Sequence, residues 1–216
     1  MANKTKRADT SNKLTRKWVT IESITEAQAE LQRIADWAQV LFVERTGETQ
    51  HVVIVLDPDS RRKTCGGALN PATWARKGTS GVYAEIVIPA HQLKGTVTEV
   101  ATRVIHGLVH LNCLQRNIKE CATTSRRHNK SYKLVAESVG LVVSESDNLG
   151  WSDTIPDDQL TKRIENELKP DGVALNIYRM ENDKPDVGAP TTTVWRCACD
   201  PVVKVRTALK IELRAT

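Results

Sequence analysis

Two histidines four residues apart in an apolar run constrain this chain more than any other feature. The segment VIHGLVH (104–110) puts His106 and His110 at positions i and i+4. On a helix those positions stack on one face, so both imidazoles can reach a single ion. This is the spacing of the H-E-x-x-H zinc helix, where two His bind metal and the Glu between them is the general base. Here Gly107 stands at the position of that Glu.

A third histidine, His128, follows in the basic segment SRRHNKSYK (125–133). Structural zinc sites usually hold four protein ligands, whereas catalytic sites hold three and keep a position for water. His106, His110 and His128 match the second pattern. Glu137 is a rival third ligand, because it falls on the helix expected after His128. His51 and His91 fit no ligand spacing and read as strand-end or surface residues.

The flanking pattern predicts an α+β domain. Ala27, Leu31, Ile34, Ala38, Leu41 and Phe42 recur at helical spacing, so a helix is expected over 25–46, capped by Ser23 or Thr25. HVVIVLD (51–57) and GVYAEIVIPA (81–90) read as strands, with a further strand or turn in 61–74. The metal helix is expected over 95–114, with Thr96 or Thr98 as its N-cap and Val100, Val104, Leu108 and Leu111 facing a core. Gly107 in its interior costs about 1 kcal/mol relative to Ala. A polar loop, 116–127, leads to His128, and a helix over 129–139 stops at Gly140. Beyond it, LVVSES reads as a short strand, GWSDTIPDD as a loop, 157–169 as a short exposed helix and 172–180 as strand-like.

At its ends the chain changes character. Residues 1–19 form a basic arm, expected to be flexible; 20–180 carry the domain; 181–193 read as a linker. Residues 194–216 alternate like a hairpin that starts with Cys197 and Cys199. Five cysteines and no apolar signal segment argue for free thiols rather than a disulfide framework, and so for a cytoplasmic protein. No apolar run approaches the roughly 18 residues needed to cross a bilayer. The net charge of +5 favours a polyanionic partner only mildly.

The helix VIHGLVH, the stretch SRRHNKSYKLVAESVGL, the strand AEIVIPA and the knuckle WRCAC together resemble the SprT-like (Spartan-like) zinc metalloproteases. The resemblance covers the chain from about residue 20 onward, most closely over 82–141. It implies a zincin-like fold, helices on a small, mostly antiparallel sheet, with an incomplete zinc-ribbon-like hairpin at the C-terminus. It implies Zn2+ on His106, His110 and His128, with Cys197 and Cys199 as half of a second metal site.

The parent reaction is zinc-assisted peptide hydrolysis, with Gly107 marking the lost general base. Losing such a base costs a factor of about 100 to 10,000. The expectation is therefore a protein that holds a protein or peptide substrate without cleaving it efficiently. Glu99 lies about 10 Å from His106 along the helix, too far to substitute; Glu120 stays open as a replacement. Spartan-type relatives act on proteins attached to DNA, which makes Arg116, Lys119, Arg126, Arg127 and Lys130 candidate phosphate contacts. The alternative expectation is a nucleic-acid-binding module on a protease scaffold.

Overall fold

The computed structural model describes residues 21–46, 52–57, 68–78, 80–122, 126–179, 193–196 and 204–207. Its contacts divide the chain into a larger unit, Met1–Met180, and a smaller one, Glu181–Thr216. The class is α+β, as the periodicity predicts.

In the larger unit, helix α1 (Ile21–Thr46) buries Ala27, Leu31, Ile34, Ala35, Ala38, Leu41 and Phe42, the stripe expected from spacing. The helix begins earlier than expected, so Ser23 and Thr25 lie inside it. Strands β1 (Val52–Asp57), β2 (Ala68–Ala75) and β3 (Val82–Pro89) form one sheet in the order β1-β3-β2. β3 runs parallel to β1 and antiparallel to β2. Along β3, Ala84, Ile86 and Ile88 point into the core, the period-two pattern of a strand with one buried face.

β1 would leave an open row of backbone groups at the sheet edge. Two glutamines of α1 cover it. Gln32 Oε1 accepts the Ile54 N–H at 2.9 Å, and Gln28 Oε1 accepts the Leu56 N–H at 2.7 Å. Their amide nitrogens donate to the Val52 and Ile54 carbonyls. The helix thus completes part of a strand ladder with side chains one turn apart.

Helix α2 (Val97–Gln115) starts at a capping box: Thr96 Oγ1 accepts the Glu99 N–H at 3.2 Å, and Glu99 Oε2 accepts the Thr96 N–H at 2.8 Å. Helix α3 (Lys130–Ser138) is capped by Asn129, whose Oδ1 accepts from Ser131 and Tyr132. Gly140 ends that turn at φ +91, in the left-handed region that suits glycine.

Three expectations need correction. GWSDTIPDD is mostly a strand: β5 (Gly150–Pro156) pairs antiparallel with β4 (Leu141–Ser146). The segment 157–169 is exposed on one face only. Helix α4 (Asp158–Arg163) and the π-turn Ile164–Leu168 bury Leu160, Ile164 and Leu168, a four-residue spacing that faces the core. Residues 172–179 form no strand. Asp171 Oδ1 instead accepts the N–H groups of Val173 and Ala174, which curls the backbone into a turn.

That last segment is tied back to α1. Glu30, buried, accepts two bonds from Arg33 at 2.7 Å and one from the Asp171 N–H at 2.8 Å. Glu30, through its hydrogen bonds, raises the Arg33 pKa.

In the smaller unit, β6 (Thr193–Arg196) pairs antiparallel with β7 (Lys204–Thr207). Cys65, Cys197, Cys199 and His51 lie outside the described residues.

Candidate metal centre

The three histidines converge by two routes. His106 and His110 come from adjacent turns of α2, with ring centroids 5.1 Å apart. His128 precedes α3 and is positioned by backbone. Its N–H donates to the Leu149 carbonyl at 2.7 Å, and its carbonyl accepts from the Trp151 N–H at 3.2 Å. The β4–β5 turn thus clamps His128 on both sides. Gly150, at φ +71, sits between those two bonds, and a Cβ there would run into the His128 carbonyl oxygen.

One nitrogen from each of the three rings lies within 4.8 Å of the other two, an arrangement that could hold a metal ion. His110 Nε2 and His128 Nε2 are 3.0 Å apart. A tetrahedral metal with bonds of about 2.0–2.1 Å places its ligand nitrogens about 3.3 Å apart.

The far side of each ring has a partner. His128 Nδ1 lies 3.1 Å from the Leu149 carbonyl, His110 Nδ1 lies 3.5 Å from Glu120 Oε1, and His106 Nδ1 lies 3.2 Å from Thr154 Oγ1. A carbonyl and a carboxylate only accept, so the protons of His110 and His128 belong on Nδ1. Both Nε2 lone pairs then face each other across 3.0 Å, which is favourable with a cation between them.

Electrostatics agree with neutral rings at His106 and His128. Burial, followed by the charges of His110 and His128, holds the His106 pKa well below 6.5. Burial, followed by His110, lowers that of His128 to about 4, against the raising effects of the Leu149 carbonyl and Glu120. Tyr132, fully buried, forms the floor, with its ring 4.5–5.0 Å from each imidazole centroid. Its hydroxyl points at the His106 carbonyl 3.5 Å away, and burial raises its pKa well above 10.

The rival ligands fall away. Glu137 is exposed and pairs with Lys133 at 3.6 Å. Glu99 belongs to the capping box. Among the described residues no fourth His, Cys, Asp or Glu joins the three histidines as a donor; a second donor group, His110, Glu120 and Cys121, shares only His110. His91, in a 3₁₀ turn at Ala90–Lys94, belongs to neither group.

Gly107 lies beside the ligands and lines the same cavity. An added Cβ would meet Ile86 Cγ2 at 2.9 Å and Cδ1 at 3.3 Å. The glycine therefore lets α2 approach β3 closely, a purpose invisible in the sequence.

Of the basic candidates, Arg116, Lys119, Arg126 and Lys130 are exposed, and Arg126 reaches the cavity rim. Arg127 is engaged by the chain at its surface: it donates to the Asp147 carbonyl and to Glu145 at 2.7 Å, bracing the turn that holds His128.

Sequence reasoning missed Leu149, Gly150 and Thr154. They lie in and after a hairpin turn, and nothing in their spacing announces that they meet His128 and His106. Comparison with family models, with curated proteins and with solved structures finds no match to this chain. No described helix is long and apolar enough to cross a membrane.

Proposed function

We propose that this chain is a zinc-binding protein of SprT-like, zincin lineage that engages peptide or protein without cleaving it efficiently. The observation that carries the reading is the pair of facing Nε2 lone pairs of His110 and His128, with His106 beside them. Three neutral imidazoles suit zinc, and three rather than four protein ligands is the count of catalytic sites. Zinc bound there supplies Lewis-acid polarisation of a carbonyl and an acidified water.

The protein's own residues provide the rest of the site and omit one part. His106, His110 and His128 hold the ion, Tyr132 supports them from below, and Thr154, Glu120 and Leu149 orient the rings. Gly107 offers no group to take the proton from water or return it to a leaving amine. Glu120 does not replace it, because it faces Nδ1 of His110, on the other side of that ring from Nε2.

Metal analysis of protein purified without chelators tests the reading. One zinc per chain is expected, falling to a small fraction in His128→Ala. A parent protein without bound metal, and unable to take up added zinc, overturns it.

A second reading has one specific support, the exposed Arg116, Lys119, Arg126 and Lys130 along the loop to His128. It makes the chain a nucleic-acid-binding module on the same scaffold. DNA affinity that falls steeply between 50 and 200 mM salt is its signature; weak binding with no salt dependence removes it.

A further inference from the structure

We infer that Glu120 is a positioning residue for the metal: its carboxylate takes the Nδ1–H of His110 and aims Nε2 at the ion. This inference rests on the zinc-binding reading above.

The geometry is one-sided. His110 Nε2 faces His128 Nε2 at 3.0 Å, while Nδ1 faces Glu120 Oε1 at 3.5 Å. Glu120 therefore sits behind the ring, where a ligand cannot be displaced but a tautomer can be selected. Among the described residues no other carboxylate comes within 4 Å of a nitrogen of the three rings. The other two Nδ1 atoms meet neutral oxygens, a hydroxyl and a carbonyl. Among the described residues Glu120 is thus the one carboxylate set against a ring nitrogen, placed to offset a dication held by three neutral ligands.

Its backbone is as constrained as its side chain. The Glu120 carbonyl accepts the Asn129 N–H at 2.9 Å, and the Lys119 carbonyl accepts from Asn129 Nδ2 at 2.7 Å. Cys121 and His128 form an isolated antiparallel bridge. Asn129 also caps α3. One residue next to the third ligand therefore fixes the loop that carries the partner of the second, so two ligands are set by one backbone tie. The side chain itself is half-buried, at 24% exposure, which shields the contact from solvent.

The His110–Glu120–Cys121 group is also a formal donor set for a second ion. The positioning role is preferred because a carboxylate behind a ligating imidazole, accepting its other N–H, both fixes the tautomer and strengthens the donor. Removing such a partner typically costs about 10- to 100-fold in metal affinity.

Zinc affinity, measured by chelator competition, tests this in the parent, Glu120→Gln, Glu120→Asp and the surface control Glu137→Gln. Cobalt(II)-loaded samples are compared by visible absorption, and thermal midpoints are taken on the metal-free forms. The expected result is a 10- to 100-fold loss in Glu120→Gln with a changed cobalt spectrum and a nearly unchanged metal-free midpoint. Glu120→Asp is expected to lose less than Glu120→Gln, and the control to lose nothing. Glu120→Gln within twofold of the parent overturns the inference, as does a parent that binds two zinc ions and loses one in that variant. A parent that binds no zinc defeats the functional reading instead, so the two failures are told apart.

Discussion

Ile86 Cγ2 lies 2.9 Å from the point a Cβ on Gly107 would occupy. Ile86 is buried on β3, and its nearest atom is a branch methyl at Cβ rather than a mobile chain end, so it yields little. Two effects compete in any replacement of the glycine. Alanine gains about 1 kcal/mol of helix propensity, but overpacking a filled core costs about 1–3 kcal/mol. Gly107→Ala is therefore expected to lower stability in the parent and to raise it by about 1 kcal/mol in an Ile86→Ala background. A double-mutant cycle from urea unfolding measures the sign of both steps. Restoring the carboxylate follows the same logic. Gly107→Glu made together with Ile86→Ala is expected to raise peptide hydrolysis by about 100- to 10,000-fold over Ile86→Ala alone. No gain in a zinc-loaded, folded double variant counts against the proteolytic lineage.

Gly150 controls the position of His128. Its φ of +71 and the His128 carbonyl beside it leave no room for a side chain. Gly150→Ala is expected to cost more than about 1 kcal/mol, because alanine is strained at positive φ. It is expected to weaken zinc binding at least tenfold while leaving far-UV circular dichroism close to that of the parent. Unchanged zinc affinity in that variant would show that the β4–β5 turn does not hold His128.

The pH dependence of the metal-free protein follows from lowered histidine pKa values. His128 falls from 6.5 to about 4 in the fold, and His106 lies well below 6.5, because both are buried. Between those values the unfolded chain binds more protons than the folded one, so stability rises with pH there. The contribution is complete above about 6.5 and is lost as pH falls toward about 4. Urea midpoints at pH 7.5, 5.5 and 4.5 are expected to decrease in that order. His128→Gln is expected to flatten part of the slope, and an identical slope in parent and variant would exclude His128 as a source.

Cys113 is fully buried on α2, and burial pushes its thiol up to about 12. It is expected to resist maleimide at pH 7.5 until the protein is unfolded in urea, since the thiolate is the reactive form. Cys121, half-buried and lining the cavity, is expected to label in the folded protein. Peptide mapping by mass spectrometry separates the two. Rapid labelling of Cys113 in buffer would mean that α2 opens far more readily than its packing implies.

What the sequence alone determined is what depends on local spacing. The i, i+4 histidines, the apolar stripes of α1 and α2, the cap at Thr96 and the alternating face of β3 follow from helix and strand periods that operate within a few residues. The tertiary structure decided everything that needs two distant segments. GWSDTIPDD reads as a loop because Gly, Asp and Pro punctuate it, yet pairing with LVVSES makes it a strand and brings Thr154 to His106. Leu160, Ile164 and Leu168 read as part of a short exposed helix until the core covers them. Gln28 and Gln32 stand outside the apolar stripe of α1, and their role appears only where β1 presents its open backbone. Gly107 is the clearest case. The sequence shows a glycine between the two histidines of α2, and only the packing of β3 shows that Ile86 takes the space beside it. Periodicity is written into a segment, whereas the distance between α2 and β3 is set by all the side chains that fill the gap between them.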